Sequence, residues 1–210
     1  VVKKHLLVPL LLIAVFALSR WPGLMPPNFS AAYAIAFCGG LYLAGRWGWT
    51  IPFLVLAGTD LLLNIFFYSR DGFSLGAFLA AELPTLLAYV VLIGLGRSMG
   101  GKKSWWRLLG GGVLGALLFY IITNTAAWLT LPGYAKTLAG WLQAITTGLP
   151  GYPETWEFFR NTLMSGGLFT GLFVGAMKAT EEREAKEETE DAAPEPDAEG
   201  EPAQADPAGK

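Results

Sequence analysis

Apolar residues run through most of this 210-residue chain in unbroken blocks, not at alternate positions. Six blocks, about 5–19, 29–45, 49–69, 75–96, 105–129 and 161–179, approach the roughly 17–25 residues a helix needs to cross a bilayer core. Short breaks rich in Arg, Gly and Pro separate them: Arg20-Trp-Pro-Gly with Pro26-Pro27, Arg46-Trp-Gly, Arg70-Asp-Gly, and Gly100-Gly-Lys-Lys-Ser. Continuous runs of this length indicate helices, because barrel strands are shorter and alternate. The longer connection, 130–160, carries Leu138, Trp141, Leu142, Ile145 and Leu149 at helical spacing. That spacing predicts an amphipathic helix lying as a lid over the outer mouth of the bundle. The predicted fold is an all-α integral membrane protein, a six-transmembrane-helix bundle over 1–180.

Basic residues set the orientation. With the N-terminus inside, the cytoplasmic side receives Lys3, Lys4, Arg46, Arg97, Lys102, Lys103, Arg107 and Lys178. The outside receives Arg20, Arg70, Lys136 and Arg160, so the count predicts N-in and C-in in a bacterial cytoplasmic membrane. Lys3-Lys4, the first apolar run and Val15-Phe-Ala17 also fit a cleavable signal. Arg20-Trp21-Pro22, however, reads as an interfacial stop that retains the helix, and cleavage would leave five spans.

Charge divides the chain into two materials. Residues 181–210 hold twelve of the seventeen acids and carry net −9, whereas the first 180 positions carry +7. The end segment is expected to be a disordered acidic cytoplasmic tail, with 178–190 able to continue the last helix through a Glu182–Lys186 pair. A single His5 and a single Cys38 exclude a disulfide within the chain, a zinc cluster and any centre built on an embedded histidine. No cofactor or nucleic-acid partner is expected.

Polar groups at membrane depth cost a few kcal/mol each, so their placement is informative. Asp60 falls near the midplane of the third helix, with Asn64 and Tyr68 at i+4 and i+8 rising toward the outside. Tyr120, Asn124 and Trp128 repeat that spacing on the fifth helix, and Glu82 and Thr85 share a face of the fourth beside Pro84. Asn28 caps the second helix, Arg160 and Asn161 open the sixth, and Ser165 follows one turn below. All lie in the outer half, while the inner half is Leu, Gly, Ala and Val. A water-accessible pocket open to the exterior accounts for the set; pairing between neighbouring helices, such as Glu82 with Arg160, would account for single residues. Asn28, Asp60, Asn64, Glu82, Asn124, Arg160 and Asn161 are the candidate polar contacts. Tyr68, Trp128 and Trp156 are the candidate flat walls.

Other patterns have simpler explanations. Gly96 to Lys102 follows G-x-x-x-x-G-K but continues with Lys103 and follows an apolar helix, so it reads as a basic cytoplasmic turn. Gly58-Thr-Asp60 resembles the motif of intramembrane aspartyl proteases, yet a second membrane aspartate is missing, and an enzyme is not expected. Small residues four apart, at Ala32/Ala36/Gly40/Ala44, Gly111/Gly115 and Gly167/Gly171/Gly175, are read as packing within the bundle before any docking face.

Pro26-Pro-Asn-Phe29-Ser-Ala-Ala, Phe37-Cys-Gly-Gly40, Asp60, Asn124-x-x-x-Trp128, Tyr134-x-Lys-Thr137-x-x-Gly140 and Phe159-Arg-Asn-Thr162 together resemble a bacterial family of unknown function described as transport proteins. That family is similar to the substrate-binding S components of energy-coupling factor (ECF) transporters. The resemblance implies a six-helix membrane subunit that captures a vitamin-like micronutrient from outside. It also implies partnership with an ECF-type transmembrane subunit and its ATPases. A proton- or ion-coupled carrier using Asp60 is the alternative.

Overall fold

The computed structural model describes residues 4–68, 74–101 and 104–191, apart from the side chains of Lys4, His5, Tyr68, Ala77, Ala80, Glu190 and Asp191. The expectations resting on Lys3, Lys4, His5, Tyr68, Arg70, Lys102 and Lys103, and on the tail beyond 191, lie outside the described residues or side chains. Among the described residues the chain forms seven α-helices: α1 Lys4–Leu18, α2 Ala32–Tyr42, α3 Trp47–Leu63, α4 Leu75–Ser98, α5 Trp105–Thr130, α6 Leu138–Ala144 and α7 Thr155–Asp191. A π-helical turn, Asn64–Tyr68, extends α3, and no strand occurs among the described residues.

Three of these helices are long and apolar enough to cross a membrane: Trp47–Phe67, Ala81–Ser98 and Trp105–Thr130. Large apolar side chains point outward from all three, among them Leu54 at 66% exposure, Phe66 at 71%, Leu83, Leu87, Leu114 and Ile121. A water-soluble bundle would bury such residues; here the outer surface is as greasy as the interior, which is the arrangement a lipid solvent stabilises. Trp47, Trp49 and Trp106 are exposed at one end, with Arg46 stacked on Trp47 and Arg97 over Trp49, at 4.9 and 5.8 Å from the ring centres. Aromatic and basic residues grouped at helix ends are the signature of an interfacial belt.

At the centre stands α2. It packs against α1, α3, α4, α5 and α7, and every residue from Ala32 to Gly40 is buried. A helix apolar on all sides can satisfy itself only by being surrounded. The close approaches need glycine. A methyl group at Gly40 would strike the carbonyl of Ile93 on α4, and one at Gly96 would strike the carbonyl of Phe37 on α2. Gly111 abuts the Phe37 ring and the Met99 sulfur, and Gly112 accommodates Thr170 on α7. The stripes on α2 and α5 thus serve packing inside the bundle, as expected, while Gly175 faces open space.

Two boundaries differ from expectation. The second block, expected as a helix over 29–45, forms only 11 residues of helix, roughly 16 Å at 1.5 Å per residue and too short to cross a bilayer alone. Pro26 and Pro27 and the left-handed backbone of Asn28 (φ 58°) keep the preceding segment irregular, and Asn28 does not cap α2. The Ser30 hydroxyl accepts from the Ala32 N–H instead, at 3.1 Å. At the other end, α7 is 37 residues long and carries the chain into the acidic segment as far as Asp191. The helix there outlasts the boundary drawn at 181, consistent with the continuation over 178–190.

Replacing Gly96 or Gly40 with Ala should destabilise the protein by about 1–3 kcal/mol through forced separation of α2 and α4. Gly110→Ala, where a methyl group meets nothing within 4 Å, should be neutral or mildly stabilising. Thermal midpoints of the detergent-purified variants check both.

Candidate functional site

Arg20 follows α1 and turns its side chain into the bundle. Its Nη2 makes an ion pair with Asp60 Oδ1 on α3, and its Nη1 donates to Thr59 Oγ1 and, at 3.4 Å, to the Leu56 carbonyl. The Tyr89 hydroxyl on α4 donates to Asp60 Oδ2 at 2.8 Å and stands 3.4 Å from Arg20 Nη2. Arg20 and Asp60 are only 10% and 11% exposed and Tyr89 is 1% exposed, so the three form a nearly dry cluster joining α1, α3 and α4. Both carboxylate oxygens of Asp60 are engaged, the condition under which a charge can be held inside an apolar bundle.

A cavity of about 670 Å³ opens above this cluster. Its floor is Asp60, Tyr89, Tyr33 and Phe119; Glu82 and Thr85 of α4 form one side. The roof is the segment between α1 and α2, residues 19–30, with Pro22, Pro26 and Pro27 in it. Phe119 stacks against Tyr89 at 5.8 Å between ring centres and meets Tyr33 edge-on at 4.9 Å, giving a continuous aromatic surface. The roof is tied down at two points: Asn161 Nδ2 on α7 donates to the Pro27 carbonyl at 3.0 Å, and the Tyr33 hydroxyl donates to the Asn28 carbonyl at 3.3 Å. Beside the cavity an apolar groove of about 520 Å³, between the ends of α1 and α3, shares Arg20, Trp21 and Leu63 with it.

Of the residues singled out by sequence, the cavity gathers Asn28, Asp60 and Glu82. Asn161 braces its roof from α7. Asn64 is not among the lining residues: the π turn that begins there rotates the chain out of the stripe that Asp60 starts. The side chain of Tyr68 is not described. Asp60 itself sits thirteen residues into α3, roughly 20 Å along its axis and beyond the midpoint expected for it. Asn124 donates to the Tyr120 carbonyl of its own helix at 2.9 Å. Trp128 donates to the Ala135 carbonyl at 2.8 Å, and Trp156 donates to the Glu154 carboxylate. Arg160 lies 5.5 Å over the Trp156 ring, and its pairing with Glu82 is not formed.

The expected lid is placed elsewhere. Helix α6 covers 138–144 only, packs on α5, and contributes no residue of 130–160 to the cavity wall. Its buried side is Gly140 and Ala144, while Leu138 and Leu142 are exposed. The reason is local: the Gly140 Cα lies against the Ala135 carbonyl, and Gly148, at φ 75°, turns the chain back. Trp141 Nε1 donates to Thr125 Oγ1 at 2.9 Å and the Tyr120 hydroxyl donates to the Ile145 carbonyl at 2.7 Å, fixing the segment to α5. Burial pushes the Tyr134 phenol in the same segment above its ordinary pKa.

Arg20, Tyr89 and Tyr33 are the site residues that sequence reasoning passed over. Two signals were available. Glu82, Thr85 and Tyr89 fall at i, i+3 and i+7, one face of α4. An aspartate at membrane depth also demands a cation, and Arg20 is the basic residue that directly follows α1, at the bundle end where Asp60 lies.

Long helices with exposed apolar faces, enclosing one polar cluster and its cavity at one end, define an all-helical protein of membrane type. The chain belongs to the family of unknown function DUF6580, which it matches over residues 2–189. No curated protein and no solved structure matches it.

Removing one partner of the buried pair should cost more than removing both. Arg20→Ala and Asp60→Asn should each lower stability by about 3–5 kcal/mol, and the double variant should lose less than their sum. A double-mutant cycle on thermal unfolding in detergent measures the coupling.

Proposed function

We propose that the protein is a membrane component for uptake of a small organic solute, binding it in the Arg20–Asp60–Tyr89–Glu82 cavity from the outer side. The observation that carries this reading is a cavity of a size suited to a vitamin-like molecule, polar and aromatic in its lining, inside a bundle otherwise made of apolar side chains. Burying that much polar surface is costly in a membrane helix bundle unless water or a ligand meets it. The sequence resemblance to ECF S components supports the same reading. It adds six crossings with both termini inside, and a separate transmembrane subunit with ATPases to supply energy. The inner end, with Arg46, Arg97 and the tryptophan belt, fits the cytoplasmic side of a bacterial inner membrane.

A proton-coupled carrier that titrates Asp60 is less well supported. Arg20 and Tyr89 already occupy both carboxylate oxygens of Asp60, so the geometry favours a structural ion pair over an ion-binding carboxylate.

Orientation is checked by labelling with a membrane-impermeant maleimide. Gly23→Cys should react in intact cells and Gly45→Cys only after permeabilisation; the reverse would turn the cavity toward the cytoplasm. Uptake is checked by untargeted mass spectrometry of the growth medium. Cells carrying the wild-type gene should deplete at least one small organic component faster than cells carrying Arg20→Ala or Asp60→Asn. Identical depletion would remove the uptake reading.

A further inference from the structure

We infer that the solute is a small organic cation, a molecule presenting a positively charged, hydrogen-donating nitrogen to Glu82 and an apolar or aromatic body to the cavity floor. This rests on the uptake reading above and names its substrate class.

Charge comes first. In the cavity wall Arg20 and Asp60 cancel each other at contact distance, and Glu82 remains. Glu82 is half-buried and takes a hydrogen bond from Thr85 one turn along the same helix. Among the described residues no basic group stands within ion-pair distance of it. A carboxylate at that depth with one neutral partner is an incomplete arrangement, and a cationic ligand completes it.

Hydrogen-bond supply points the same way. The strongest donors of the wall are already engaged. Arg20 gives its guanidinium to Asp60, Thr59 and the Leu56 carbonyl. Tyr89 donates to Asp60, and Tyr33 donates to the Asn28 carbonyl. The roof adds three prolines, Pro22, Pro26 and Pro27, none of which has an N–H to offer. Beside the neutral Trp21, Asn28 and Ser30 side chains, what the wall still presents is the Glu82 carboxylate, its one charge without an opposite partner in contact among the described residues, together with the π faces of Tyr33, Tyr89 and Phe119. Aromatic faces attract cations through their quadrupole. An anion would meet Glu82 head-on and would compete with Asp60 for Arg20.

The test uses the full chain purified in detergent. Small molecules released on denaturation are identified by mass spectrometry in both ion modes. In parallel, tryptophan-fluorescence melting is followed with three matched probes: phenethylammonium, phenethyl alcohol and 3-phenylpropanoate. The released molecule should be cationic, or phenethylammonium should stabilise the protein in preference to the other two. Glu82→Gln should weaken the cation roughly tenfold or more while Glu82→Asp retains part of the affinity. Circular dichroism establishes that both variants are folded; an unfolded Glu82→Gln would leave the identity of the released molecule and the probe preference of the wild type to decide. A released anion or neutral molecule, preference for the neutral or anionic probe, or a cation affinity unaffected in folded Glu82→Gln would overturn the cation inference and leave the uptake reading standing. No released molecule together with no stabilising probe would overturn the uptake reading itself.

Discussion

An ionised aspartate inside an apolar helix bundle is tolerable only with a cation in contact, and in this protein the cation arrives from a different helix. Arg20 reaches from the end of α1 to Asp60 on α3, and Tyr89 closes the remaining carboxylate oxygen from α4. Three elements are thereby fixed by one electrostatic requirement. The position of the α1–α2 segment follows, because it leaves from Arg20; so does the roof of the cavity, because that segment forms it. Packing around α2 supplies a rigid base, but packing alone does not say where a void will be left. The ion pair does.

The remaining structure divides by chemistry along the bundle axis. Toward the end that carries Arg46 and Arg97, glycine-mediated backbone contact between α2 and α4 leaves no room for anything but apolar side chains. Toward the opposite end, the same helices diverge around Tyr33, Tyr89 and Phe119, and polar groups replace methyl groups. The 130–160 segment, pinned by Trp141 to Thr125 and by Tyr120 to Ile145, belongs to the scaffold at that end and stands clear of the cavity. A protein with one close-packed end and one open end has a built-in polarity, on which the proposed uptake from one side relies.

Much of this was legible in the chain. Helix positions were set by runs of apolar residues long enough to override local propensity; Arg46-Trp-Gly falls where α3 begins, and Gly100-Gly follows the end of α4. Half of the site was also readable, because Asp60 and Glu82 are too costly at membrane depth to be incidental. The other half was not. Asn64 belonged to Asp60's stripe by arithmetic, and one π turn removed it, an event that i+4 counting does not encode. Asn124 and Trp128 carried the polarity of ligand contacts but spend their donors on neighbouring backbone carbonyls. Arg20 looked like a membrane-surface residue because its long side chain can travel several ångströms from its backbone, and sequence records only the backbone's place. The 138–149 pattern suggested a face of leucines turned inward, whereas the turn at Gly148 and the tight contact at Gly140 brought the small residues inward instead.

The shortness of α2 has a final consequence. Eleven residues of helix leave the rest of the expected second span to irregular chain, whose peptide groups have no helical ladder of partners. Hydrocarbon cannot solvate such groups; only water, neighbouring protein or a polar guest can. The vestibule over Asp60 is therefore walled in part by peptide groups that need a polar neighbour, and under the proposed uptake solvent would fill it between guests and be expelled at each loading.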